Sequence, residues 1–386
     1  MSVQPFTVQV PQVTLDDLRD RLARTRWTDE VAGAGWDYGA NLSYMKDLIA
    51  YWRDGFDWRV QEQTINQFAQ YRATVDGYGL HFIHERGTGP NPLPLALFNG
   101  WPSSFYLYTK LIPLLTDPAN HGGDAADAFD VVVPSLPGYG FSDRPTEKGM
   151  TVNRMGDLFA RLLTEDLGYP RFAAQGVDIG AGVVGALAQK HPEALVGVHM
   201  EGGNPYIYQV PDNLSPAEKQ FVDTSNKWMQ AEGAYAAEQS TKPQTLAYGL
   251  NDSPAGLAGW IVEKLRAWSD CGGDVEKRFT KDEILIHLTI YWATGTINSS
   301  FRVYYEGAHD WAQGTGQGQA MHVPTAIAVY PGDIARPPRE WLERSYKVDR
   351  FTQMARGGHF PEWEEPQLLA EELRAFFRPL RQSRRQ

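Results

Sequence analysis

In "RFAAQGVDIGAGVVGALAQK", residues 171–190, an apolar run passes through a single acid, Asp178, straight into an Ala- and Val-rich helical pattern. Glycines stand two before and two after the acid, at 176 and 180. That spacing gives a sharp strand-to-helix turn in which strand and helix approach closely and the apical side chain is exposed. It commits this stretch to a βα unit whose reactive position lies at the carboxyl end of a strand.

Other segments fit the same plan. Short apolar runs at "LPLALF" (93–98), "FDVVVP" (129–134), "RFAAQG" (171–176) and "LVGVHM" (195–200) alternate with helical patterns, as in a parallel sheet covered on both faces. The pattern resumes at "TAIAVYPGD" and "DRFTQMARGGHF" and closes on the amphipathic "PQLLAEELRAFF". Between them, residues 206–320 read as a helical insertion, with "SPAEKQFVDTSNKWMQAEG" and "KDEILIHLTIYWATG" as helices and no buried strand. Before them, "VTLDDLRDRLARTRW" predicts a helix capped by Thr14, and "LSYMKDLIAYWRDG" one capped by Ser43 with Tyr44, Leu48, Ile49 and Trp52 on its apolar stripe. "YRATVDGYGLHFIHER" predicts a hairpin turning at "DGYG". The expected organisation is a helical N-terminal extension running into the hairpin (1–90), a first part of an α/β core (91–205), a helical lid (206–320) and the rest of the core (321–386).

Composition removes several function classes. A formal net charge of -11 disfavours nucleic acid and anionic lipid, so the basic end "RPLRQSRRQ" is a solvated tail. Cys271 is the sole cysteine, which excludes an intrachain disulfide and Cys/His zinc spacing, and no metal is expected. No signal-peptide pattern and no apolar window of about 18 residues is present, so a soluble, cytoplasmic protein without membrane attachment is expected.

The chemistry follows from the acid in the elbow. A serine there needs a base, whereas a carboxylate, with an ordinary pKa of about 3.9, is already an anion at neutral pH. Its natural electrophile is a saturated carbon with a leaving group, and the product is an ester on the enzyme. His359, in "RGGHFPEWEEP" after the last strand, is the base that activates water to cleave that ester. Asp333 in "VYPGDIARPP" leaves the preceding strand and is the acid that orients the histidine, with Glu306 in "YYEGAHD" as the fallback. The backbone amides of Trp101, in "FNGWPSS", and Ile179 are the expected oxyanion donors. Each signal taken singly is more often an ordinary turn; what counts is strand, elbow, acid and histidine in one consistent order. The glycine run lacks the GK[ST] and GxGxxG patterns of phosphate-binding loops, and no cofactor is expected.

Several long motifs, "NGWPSSFYLY", "VVPSLPGYGFSDRP", "GVDIGAGV", "STKPQTLAYGLNDSPAGLAGWIVEKLRAWSD", "YWATGTINSSFRVYY" and "RGGHFPEWEEP", resemble the α/β-hydrolase epoxide hydrolases of the microsomal and juvenile-hormone type. The resemblance covers nearly the whole chain. It implies an α/β-hydrolase fold with a doubly wound, mostly parallel sheet, a helical lid and a helical N-terminal extension. It implies Asp178 as nucleophile, His359 as base, Asp333 as orienting acid, and two lid tyrosines, Tyr235 and Tyr304, as donors to the epoxide oxygen. Tyr305 adjoins Tyr304 and is the neighbouring alternative. Asn99 stands where the family's HGWP motif has histidine, a change expected to spare the backbone donors. The implied substrate is a small-molecule epoxide, hydrolysed to a vicinal diol. The anchorless form is similar to hydrolases of bacterial enediyne biosynthesis, and a homodimer is compatible with its 12% aromatic content. A haloalkane-type dehalogenase would use the same Asp and His but wants halide donors, often a Trp at the position of Ile179. A non-catalytic α/β-hydrolase scaffold is the other alternative, and it gives no reason to retain the whole set.

Overall fold

The computed structural model describes residues 3–202, 205–207, 209–312 and 321–382. Nine strands form one sheet in the order β1-β2-β3-β5-β4-β6-β7-β8-β9. They are β1 (Gln4–Phe6), β2 (Gln70–Val75), β3 (Tyr78–Glu85), β4 (Leu93–Phe98), β5 (Phe129–Pro134), β6 (Phe172–Gly176), β7 (Leu195–Glu201), β8 (Met321–Val329) and β9 (Tyr346–Gln353). The pairs from β1 to β3, and β3 with β5, are antiparallel; every later pair is parallel. Strands β4 to β7 are buried at every position, which is why their sequences are mainly apolar rather than alternating, with Asp130, Gln175, His199 and Glu201 as the polar members.

The hairpin forms where "DGYG" predicts it. Asp76 and Gly77 both take positive φ, 47° and 85°, the mirror-image turn that matches the twist of its two strands. Its strands belong to the sheet, so the sheet begins within the first ninety residues. The N-terminal helices differ in their starts. The first, Gln12–Ala23, begins two residues before Thr14 and has Pro11 at its cap position, with no side-chain cap. The second, Leu42–Asp54, is capped by Asn41, whose side chain accepts from the Tyr44 amide, and Ser43 lies inside the helix. On that helix Met45, Leu48, Ile49 and Trp52 are buried, while Tyr44 sits half-buried at the edge of the stripe.

Between β7 and β8 the described residues form only helices: Pro216–Glu232, Ala234–Thr241, Pro243–Asp252, Pro254–Trp268, Lys281–Thr294 and Ile297–Ala312, with a 3-10 turn. The N-terminal helices brace this lid. Trp52 Nε1 donates to Thr289 Oγ1 at 3.0 Å, the Tyr51 hydroxyl donates to Asp282 at 2.8 Å, and Arg21 pairs with Asp252 at 2.6 Å. No helix among the described residues is long and apolar enough to cross a membrane.

Candidate active site

Asp178 stands between β6 and the helix Ile179–Lys190 with φ 51° and ψ -123°, a conformation that a non-glycine residue adopts at a cost of about 1–3 kcal/mol. The flanking glycines make the turn possible. A Cβ on Gly180 would lie 2.1 Å from the Phe98 carbonyl oxygen, and one on Gly176 would lie 2.3 Å from that of Gly180. A Cβ on Gly100 would in turn lie 2.1 Å from Asp178 Oδ1. The backbone thus packs against both sides of the acid, and the strain holds its carboxylate at the end of β6.

The Trp101 amide donates to Asp178 Oδ1 at 2.8 Å. Ile179 opens its helix, so its N–H lies outside the intrahelical ladder and is available beside the carboxylate. Asn99, fully buried, uses Nδ2 on the Gly100 carbonyl at 3.1 Å and so ties the loop internally. A histidine that the sequence does not single out, His287 on the lid helix Lys281–Thr294, also secures this loop. Its Nε2 lies 2.6 Å from the Pro102 carbonyl, which requires N–H there, so Nδ1 accepts from Ser104 Oγ at 3.0 Å. Burial lowers the pKa of His287 to about 4 and keeps it neutral for that pairing.

On the other oxygen, Asp178 Oδ2 faces His359 Nε2 at 3.7 Å. That gap is too long for a good hydrogen bond and leaves the ring poised beside the carboxylate. His359 Nδ1 meets Asp333 Oδ1 at 2.8 Å, and the Ile334 amide donates to the same oxygen at 2.7 Å. The two loops are tied immediately before these residues: Gly332 and Gly358 form a parallel bridge, and the Gly332 amide donates to the Gly357 carbonyl at 2.9 Å. Asp333 is thus the acid that the structure brings to the His359 ring. Glu306, the fallback, lies on the lid helix Ile297–Ala312, while His359 is bonded to Asp333. Burial disfavours charge on His359, but the facing Asp178 carboxylate and the hydrogen bond to Asp333 outweigh it and raise its pKa well above the usual histidine range.

Tyr235 and Tyr304 converge on Trp101 from two lid helices. Tyr235 stacks on the indole, with ring centroids 5.2 Å apart and planes at 14°, while Tyr304 meets it edge-on at 6.4 Å. Trp268 packs against both Tyr235 and His359, at 4.9 and 5.3 Å. The Tyr304 hydroxyl is buried with no hydrogen-bond partner among the described residues. Burial, reinforced by Asp178, raises the pKa of both phenols well above 10, so each keeps its proton. Tyr305 stacks on His309 instead. Tyr206 was not legible as a site residue, yet its hydroxyl donates to that of Tyr235 at 2.9 Å.

Glu201, Asp333 and His359 have ligand atoms within 4.8 Å of one another, the grouping with metal-ligand spacing among the described residues. Both His359 nitrogens already face carboxylates.

Comparison with known proteins decides the family. Residues 3–108 match the model of the epoxide hydrolase N terminus, and residues 94–296 that of the alpha/beta hydrolase fold. Epoxide hydrolase 1 of Sus scrofa is 35% identical over 99% of this chain and 90% of its own length. The chain belongs to the epoxide hydrolases. A relative of this epoxide hydrolase from Stigmatella aurantiaca, itself named only provisionally as one, is 42% identical over 98% of this chain and 86% of its own. Among solved structures, the Aspergillus niger epoxide hydrolase superposes on the enzyme with a TM-score of 0.86 at 29% identity, covering 98% of this chain and 97% of that one.

Proposed function

We propose that the enzyme converts an epoxide to a vicinal diol in two covalent steps. Asp178 attacks one ring carbon through its carboxylate; the C–O bond opens, and the electron pair stays on the epoxide oxygen. Tyr235 and Tyr304 donate to that oxygen and supply its proton, because an alkoxide leaves poorly without one. The product of this step is a hydroxyalkyl ester of Asp178.

Esterification then prepares the second step. It neutralises Asp178, one of the groups that hold the His359 proton, so the imidazole becomes easier to deprotonate when a base is needed. His359 takes a proton from water, the hydroxide equivalent attacks the ester carbonyl, and the Trp101 and Ile179 amides bind the oxyanion. Asp333 holds the ring and balances the imidazolium. The His359 proton goes to the departing diol oxygen as the ester C–O bond breaks, and the remaining proton of the added water leaves the Asp178 carboxyl for the tyrosinate, so carboxylate and phenol are both regenerated.

The observation that carries this reading is a carboxylate at the elbow facing His359 at 3.7 Å, near two buried phenols, Tyr235 and Tyr304, whose protons its charge helps to hold. It also separates the reading from a dehalogenase, since a halide needs no proton and the residue after the nucleophile is the aliphatic Ile179. Aromatic walls from Trp101, Trp268, Tyr235 and Tyr304 favour an aryl epoxide, the class implied by the similarity to enediyne enzymes. Incubating His359→Gln with styrene oxide tests the order of steps: the protein should gain the mass of one substrate, and an unmodified protein that still makes diol rejects the ester.

A further inference from the structure

The Glu201 carboxyl has no part in the reaction above, yet it lies against it. Glu201 ends β7, one strand over from β8, and Asp333 sits in the turn that follows β8. It is 7% exposed, and both its oxygens are buried with no hydrogen-bond partner among the described residues. Its carboxylate belongs to the group whose atoms, from Glu201, Asp333 and His359, lie within 4.8 Å of one another. The second oxygen of Asp333, Oδ2, is likewise buried and unpartnered. Two carboxyls this close in a dry site do not both ionise without a large cost, so a proton stays between them.

We propose that Glu201 is a second positioning acid for His359: in the resting site it is neutral and donates a hydrogen bond to the free oxygen of Asp333, and it ionises to hold the imidazolium when Asp333 cannot. The inference rests on the covalent mechanism proposed above. The groups facing Glu201 fit it. Asp333 and Tyr330 approach from the β8 side, His359, Glu362 and Glu364 from the segment after β9, and Tyr108 from the segment after β4. Burial is the main cause that keeps the Glu201 proton on, reinforced by Asp333, Glu362 and Glu364 and opposed by His359. Among the described residues no lysine or arginine forms an ion pair with it, so the imidazolium is the cation it can meet. Donation to Asp333 Oδ2 would satisfy an acceptor that is otherwise costly to bury, and would fix the carboxylate plane so that Oδ1 stays on Nδ1.

The test is a double-mutant cycle of Asp333→Asn and Glu201→Gln, in single turnover with styrene oxide across the neutral and alkaline range. Ester on Asp178 is followed by intact mass and diol by chromatography. In Asp333→Asn, ester hydrolysis should persist at a reduced rate that climbs with pH as Glu201 ionises. The double variant should keep only the rise that His359 deprotonation gives, with its profile shifted from that of Asp333→Asn, and run at least about tenfold slower than Asp333→Asn at alkaline pH. Equal rates and equal pH profiles in Asp333→Asn and the double variant overturn the proposal. Asp333→Ala, with the same Glu201→Gln partner, gives the same comparison if the Asn variant does not fold. Ester appearing in every variant shows that the covalent mechanism stands whatever the cycle gives; no ester even in His359→Gln removes that mechanism and this inference with it.

Discussion

In the proposed mechanism Asp178 and His359 act in different steps, so their variants should fail differently. Asp178→Ala should abolish diol formation and leave no adduct on the protein; retained turnover would place the nucleophile elsewhere. His359→Gln should still be alkylated, with ester hydrolysis slowed by about 10²–10⁴-fold. The wild type should show the same separation with pH. His359 works as base only when neutral, so hydrolysis is present above its pKa in the ester form and lost as pH falls through it. As hydrolysis is lost, quenched acidic reactions should accumulate ester; hydrolysis and ring opening that fall together on acidification contradict the assignment. For the tyrosines, Tyr235→Phe and Tyr304→Phe should each slow ring opening by about 10²–10³-fold in single turnover, the scale of losing one oxyanion donor. An unchanged rate in both variants removes them from the site.

The elbow is an element whose sequence and geometry agree. Gly180→Ala places a methyl 2.1 Å from the Phe98 carbonyl, so β4 and the helix Ile179–Lys190 must move apart. Activity should fall by orders of magnitude with the Trp101 amide displaced from Asp178, and wild-type activity in that variant would contradict the packing. The core strands were legible because a strand buried on both faces leaves a mainly apolar run. β1 was not: "QPF" is three residues long, contains a proline and lies at the sheet edge, where no alternation is needed. Caps were misjudged because Thr14 and Ser43 are good capping residues by type, while Pro11 and Asn41 hold the positions. In the site, Asp178, His359 and Asp333 could be read from their order along the strands. Tyr235 and Tyr304 could not, since 18 tyrosines share one chemistry and lid packing decides which two face Trp101. Glu201 offered one signal, an acid closing an apolar strand, but its proximity to Asp333 exists only in the folded sheet.

At the scale of the molecule, the N-terminal helices hold the lid over the sheet. Trp52 is buried and bonded to Thr289, so Trp52→Ala should cost about 3–5 kcal/mol. At about 2 °C per kcal/mol for a chain of this size, the unfolding midpoint should drop by roughly 6–10 °C. KM should also rise, since Thr289 lies on the helix whose His287 anchors the Trp101 loop; an unchanged midpoint and KM would show that the extension does not brace the lid. The whole reading depends on the Asp178 carboxylate becoming an ester, and one experiment addresses that directly. Excess enzyme is given a single turnover of styrene oxide in water enriched in oxygen-18, and diol and protein are both weighed. The covalent mechanism predicts a first diol with ordinary oxygen and label in the Asp178 carboxylate, whereas a labelled first diol and an unlabelled protein would mean that water attacks the epoxide itself.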